Sequence, residues 1–228
     1  MKQAEGPCVN FTMAHADIEY RGDFFMIGVI HRDERNPDIL STLLEKIQPD
    51  VITVEVSRYS LEFRRSTGDM YRERLGGICG CLDRLHGRTI SGLYSFIDMP
   101  SEFTVAEEYC RQHDTAVYPV DMDLFSLLKL RRVDELIDRG NVAANLCADE
   151  KARTSEKVLA DLYFRKGVTA FSYDEEMVIR DSFICHKIGI LKKRYANRRF
   201  VHIAGWQHLR DPLSLYEPFH PVKIFPYD

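Results

Sequence analysis

Apolar residues in this chain fall into short continuous runs, separated by longer stretches in which they recur every three or four positions. The first run, FFMIGVI from Phe24 to Ile30, reads as a buried strand. It follows DIEY and an Arg21-Gly22-Asp23 turn, a pattern that predicts a hairpin and places the strand at a sheet edge. After His31 the polar loop RDERNPD leads to Ile39, Leu43, Leu44 and Ile47, the spacing of a helix with one buried face, closed by Pro49. VITVEV, from Val51 to Val56, is apolar and β-branched except at Glu55, as expected for a strand covered on both faces. Strand, helix and strand in this order predict a βαβ unit with parallel strands.

The stretch from Tyr59 to Met99 carries Arg and Glu at helical spacing and then the Gly-rich string GGICGCLDRLHGRTISG, which the pattern leaves unassigned. Thr104 and Glu107 suit a capping box for a helix reaching His113, and AVYPVD, Ala116 to Asp121, reads as a third buried strand. Leu124, Leu127, Leu128, Leu130, Val133, Leu136 and Ile137 continue a single helical stripe up to a stop at Gly140. Two more helices are expected, Asp149 to Lys166 and Tyr173 to Asn197, the second ending in basic residues that suit its negative dipole end. FVHIAG from Phe200 is a fourth core strand, and VKIFPY is an edge strand because of Pro226. The whole predicts an α/β fold: one domain over residues 1–228, with a central mixed, mainly parallel sheet flanked by helices.

Composition narrows the function. Hydrophobic residues at 45% and charged residues at 29% of 228 positions are those of a globular protein with a sizeable core. A net charge of −4, with Lys and Arg interspersed among acids, offers no positive field for a nucleic-acid backbone. No stretch approaches the roughly 20 apolar residues of a membrane span, and MKQAEGPCVNF lacks a signal-peptide core, so the expected location is cytoplasmic, away from membranes. Cys8, Cys79, Cys81, Cys110, Cys147 and Cys185 are scattered and read as free thiols. Cys79-Gly80-Cys81 is too tight for a C-x-x-C knuckle.

Two G-x-x-H strings stand at the ends of predicted core strands, Gly28 to His31 and Gly205 to His208. With 13 Gly and 8 His in 228 positions, chance gives about half of one such string, so their placement matters more than their occurrence. Ligands of open α/β sheets gather outside the carboxyl ends of strands. Glu55 is a carboxylate inside an apolar run and requires a partner, since burying it alone costs several kcal/mol. If the first two strands are neighbours, Glu55 and His31 share one sheet end. His plus Glu suits Zn²⁺, Mn²⁺ or Co²⁺; the same pair also suits metal-free catalysis, with His31 as general base. The structural alternatives are a hydrogen-bonded His31 and a Glu55 paired with Arg58 or Arg180. Trp206 reads as core or pocket filler, His202 as structural, Asp121 and Asp123 as ligands, substrate anchors or a helix cap, and His15, His86, His113, His186 and His220 as background.

FMIGVIH followed by PDVITVEVSRYS resembles the opening of the TraB/GumN/Tiki family. AVYPVDMDLFSLLKL, EEMVIRDSF and RFVHIAGWQHL extend the similarity from about Phe24 to Leu209. Val29 departs from it by standing where the family commonly has Thr. The resemblance implies an EreA/ChaN-like fold and a metal-dependent hydrolase, with His31, Glu55 and His208 as metal ligands or catalytic groups. It further implies Arg180 as an orienting catalytic residue, and Arg58 stands where the family often has a basic residue. Apart from the resemblance, Arg58, Asp121 and Trp206 are expected as substrate contacts, with a peptide or small-molecule substrate and a chain able to form a homo-oligomer. Two alternatives stay open: a haem- or anion-binding protein of ChaN type, with Tyr59, Met122 and Trp206 near the ligand, and a metal-independent esterase using His31 and Glu55.

Overall fold

A computed structural model describes residues 21–31, 33–86, 94, 97–147, 155–168 and 173–227. The strands are β1 (Phe24–Val29), β2 (Val51–Val54), β3 (Ala116–Pro119), β4 (Phe200–Gly205) and β5 (Val222–Ile224). They form one sheet in the order β3-β2-β4-β1-β5, and every recorded pairing is parallel. The expected mixed sheet is therefore all-parallel among the described residues. The hairpin segment DIEY lies outside them, and β1 is an interior strand, paired to β4 on one side and β5 on the other. β5 is an edge, as Pro226 suggests.

Alternation along the buried strands divides the core into two layers. Phe25, Ile27, Ile52, Val54, Val201 and Ile203 face α1 (Asn36–Ile47) and a later helix, α3 (Ser101–His113). The second layer joins Phe24, Met26, Val51 and Phe200 to Ile184 and Ile188. In the chain, α2 (Arg58–His86) lies between β2 and α3 and extends through the first part of the Gly-rich string. Thr104 does not cap α3: the helix begins at Ser101, and the Thr104 hydroxyl donates to Pro100 O.

The Leu-rich stripe is not one helix. It breaks into α4 (Asp123–Leu130), α5 (Val133–Leu136) and α6 (Arg139–Cys147), with Gly140 inside the last. Leu124, Leu127 and Leu128 stay exposed, whereas Leu130, Val133, Ile137 and Val142 pack against Tyr71 and Leu75 of α2. The turn at Arg131 and Arg132 redirects the chain, so the apolar face changes partway along the stripe. Asp123 is the first residue of α4, and its carboxylate accepts from Tyr59 N near the start of α2. α7 (Ser155–Lys166) and α8 (Glu175–Arg194) follow, the latter capped by Asp174, whose side chain accepts from Met177 N. Cys110 and Cys185 are free thiols. Among the described residues no helix is long and apolar enough to cross a membrane.

Candidate functional site

Strand order builds the site. β4 lies between β1 and β2, pairing Val29 with Gly205 and Val54 with Ile203, so the residues just beyond these three strands meet at one end of the sheet. His31 follows β1, Glu55 follows β2 and donates its backbone N–H to Ile203 O, and His208 lies in the 3-10 turn Trp206–Arg210 directly after β4. His31 and Glu55 therefore share a site without lying on neighbouring strands. Glycines make the approach possible. His31 Nε2 packs against the bare α-carbon of Gly205, beside Glu55 Oε2, while Gly28 leaves space for Trp206 and Leu209 of the 3-10 turn.

Glu55 is the centre of a buried ionic lattice. Its side chain is 5% exposed; Oε1 accepts from Arg180 Nη2 and lies 3.0 Å from His208 Nε2, and Oε2 accepts from Gly205 N at 2.7 Å. Arg180 also donates to both oxygens of Asp121, from Nε at 3.1 Å and Nη2 at 2.8 Å. His208 Nδ1 contacts Asp181 Oδ1, and Asp181 also accepts from the hydroxyls of Tyr173 and Tyr216. Arg180 and Asp181 are supplied by α8, where Asp181 occupies a place on the same buried stripe as Ile184 and Ile188. That spacing was the available sign of Asp181, a carboxylate where an apolar residue is expected.

The charges follow from these contacts. Burial alone raises the Glu55 pKa, but the charge and hydrogen bond of His208, then Arg180 and His31, outweigh it and hold Glu55 well below the usual carboxylate range. Burial lowers the His208 pKa, and Glu55 and Asp181 reverse this, pushing it up to about 10. His202 goes the other way: burial and the nearby positive His208 lower it to about 4, and its Nδ1 lies 3.0 Å from Thr53 Oγ1. Its Nε2 is buried without a hydrogen-bond partner among the described residues.

His31 differs from the lattice in being half-exposed, with 49% of its side chain open to solvent. Its Nδ1 lies 3.5 Å from Glu102 Oε1, and its backbone N–H donates to Glu156 of α7. Desolvation lowers its pKa, but the Glu102 hydrogen bond and the charges of Glu55, Glu102 and Glu156 raise it to about 9. Glu102, in the first turn of α3, has no periodic signature in sequence that ties it to His31.

The other expected site residues have different surroundings. Arg58 is exposed at the start of α2, and the partner of Glu55 is Arg180. Asp121 is a buried partner of Arg180. Trp206 is 1% exposed, with ring centroids 5.8 Å from Tyr163 and 5.7 Å from Phe164, which makes it core filling and not a ligand-stacking surface. His31, Glu55 and His208 come together, with Glu55 and His208 ion-paired inside the lattice and His31 beside it, and not as converging lone pairs. A ligating imidazole needs a free ring nitrogen, whereas both His208 nitrogens are directed at carboxylates. Among the described residues no group of three His, Cys, Asp or Glu side chains is arranged to hold a metal ion. In this arrangement the donor set does not fit a divalent ion; the cationic positions around Glu55 belong to Arg180 and His208. A separate recess of about 580 Å³ lies at the opposite end of the sheet, lined by residues including Asp50, His113, Tyr195 and Arg198, remote from these charges.

Compared with protein families, with curated proteins and with solved structures, the chain finds no match.

Proposed function

We propose that the protein is a hydrolase of an ester or amide bond, including a peptide bond, in which His31 transfers the proton and no resident metal takes part. The observation that carries this reading is the His31–Glu102 pair at the carboxyl end of the sheet: one half-exposed imidazole with a carboxylate on Nδ1. In neutral His31 this contact favours the proton on Nδ1, leaving the Nε2 lone pair, on the Gly205 side, to accept a proton from water. The oriented water then attacks the substrate carbonyl, and the imidazolium returns the proton to the leaving group. Glu55, Glu102 and Glu156 make His31 a stronger base by favouring its charged form. The Arg180–Glu55–His208–Asp181 lattice holds Glu55 ionised and fixed beside it. The similarity to the TraB/GumN/Tiki motifs supports the choice of hydrolysis, and the engagement of both His208 nitrogens supports the metal-free form of it.

The experiment is a panel of activated esters and short peptides assayed with purified protein, with and without chelator, alongside His31→Ala. Turnover that survives chelator and disappears in folded His31→Ala is the expected result. Equal turnover in His31→Ala overturns the role of His31, and loss in chelator restored by Mn²⁺, Co²⁺ or Zn²⁺ overturns the metal-free form.

A further inference from the structure

Beyond the lattice, a second buried network reaches His31 from the end of the chain. β1 ends at Val29, so Ile30 has no strand partner for its backbone groups, which must be satisfied elsewhere. Ile30 N donates to Tyr227 Oη at 2.9 Å, and Ile30 O accepts from Asn36 Nδ2 at 3.0 Å as well as from Asp33 N at 3.2 Å. Two side chains thus hold both backbone groups of the residue preceding His31. They are joined to each other, because the Tyr227 hydroxyl donates to Asn36 Oδ1. The remaining Asn36 amide contact reaches Glu102 Oε1 at 3.4 Å, the same oxygen that lies 3.5 Å from His31 Nδ1.

All three supporting groups are buried: Asn36 is 0%, Tyr227 2% and Glu102 8% exposed. Asn36 stands at the first turn of α1, Glu102 at the first turn of α3, and Tyr227 beyond β5, packed on Phe225 at 5.1 Å between ring centroids. Neither the hydroxyl nor the amide is required for apolar packing at these positions. Each is satisfied through the other and through the His31 segment.

We infer that Tyr227 and Asn36 are positioning residues for the His31–Glu102 pair, the first clamping the backbone before His31 and the second fixing the carboxylate that orients its ring. This rests on the reading of His31 as the proton-transfer residue. Tyr227 leaves the β-carbon of His31 where Gly205 has room for the ring, and Asn36 gives Glu102 Oε1 one donor so that the carboxylate does not swing away from Nδ1. A shift of the order of 1 Å in such a group costs about a hundredfold in rate.

The test is the ring Cε1–H resonance of His31 in the full chain with labelled histidine, assigned by its disappearance in His31→Ala. Tyr227→Phe and Asn36→Asp are compared with the unaltered protein after urea titration has established that each is folded. The expected result is a moved or broadened His31 resonance in either variant, with the His202 resonance unchanged, and kcat lowered about tenfold to a hundredfold with KM within about twofold. An unmoved His31 resonance in the folded variants overturns the inference; if Tyr227→Phe does not fold, Asn36→Asp decides it. Because the resonance is read without substrate, full activity in His31→Ala overturns the proton-transfer role of His31 alone and leaves the positioning result standing.

Discussion

Gly205 and His31 fit together by the absence of a side chain: a β-carbon on residue 205 would lie 2.7 Å from His31 Nε2. Gly28 has the reciprocal relationship to the second motif, since its β-carbon would meet Leu209 Cδ1 at 2.4 Å and Trp206 Cα at 3.0 Å. The glycine of each G-x-x-H string thus admits part of the other. Both lie at the end of the β1–β4 ladder, where Val29 pairs with Gly205 and Gly28 with Ala204.

The two glycines therefore respond differently to alanine. In Gly205→Ala the half-exposed His31 ring can yield, at a rotamer cost of about 0.5–1.5 kcal/mol, while turnover falls by about a hundredfold because Nε2 is displaced. In Gly28→Ala the obstacle includes the backbone of Trp206, so stability falls by about 1–3 kcal/mol. Urea midpoints and initial rates for both variants test this; equal stability losses with equal rates contradict it.

Arg180 pairs with two buried carboxylates, and Arg180→Ala is expected to cost about 3–5 kcal/mol, the penalty of uncompensated buried charge. Arg180→Lys does not rescue it fully, because an ammonium cannot reproduce contacts made from both Nε and Nη2. A double-mutant cycle of Arg180→Ala with Asp121→Asn should show coupling above about 1 kcal/mol. Additive effects would show that the pair contributes nothing.

Stability should peak close to pH 6.5. The folded pKa of His208 is raised to about 10, so its contribution is complete below the ordinary value of 6.5 and is lost as pH rises towards 10. His202 is lowered to about 4, so the folded state loses stability as pH falls from 6.5 towards 4. Glu55 adds to the acid side, because its lowered pKa gives stability present above 4.5 and lost as pH falls below it. Denaturant titrations across this range test the shape; a plateau from pH 7 to 10 would remove the His208 contribution.

Turnover has a different dependence. A general base must be neutral, and a His31 pKa of about 9 leaves only about 1% of it in that form at pH 7. The rate of the unaltered protein is expected to rise through pH 9. In Glu102→Gln, which removes the hydrogen-bonding charge, the midpoint moves down towards 6.5 with a lower plateau. A pH–rate profile whose midpoint is the same in both proteins sinks the assignment of Glu102 as the partner of His31.

Local chemistry was enough to place the strands and the residues at their tips. Short, mostly apolar runs rich in β-branched and aromatic residues suit strands covered on both faces, so FFMIGVI, VITVEV and FVHIAG were legible, and with them His31, Glu55 and His208 at the tips. The need of buried Glu55 for a partner was equally legible from the cost of an isolated charge, with Arg58 and Arg180 as the candidate cations. The tertiary structure decided that β4 inserts between β1 and β2, because strand order depends on how the long connections pack and not on any one strand. That order turns three separate strand tips into one site. It also selects Arg180 over Arg58, places Asp181 on His208, and brings Glu102, Asn36 and Tyr227 to His31, contacts between residues distant in the chain that no local periodicity encodes.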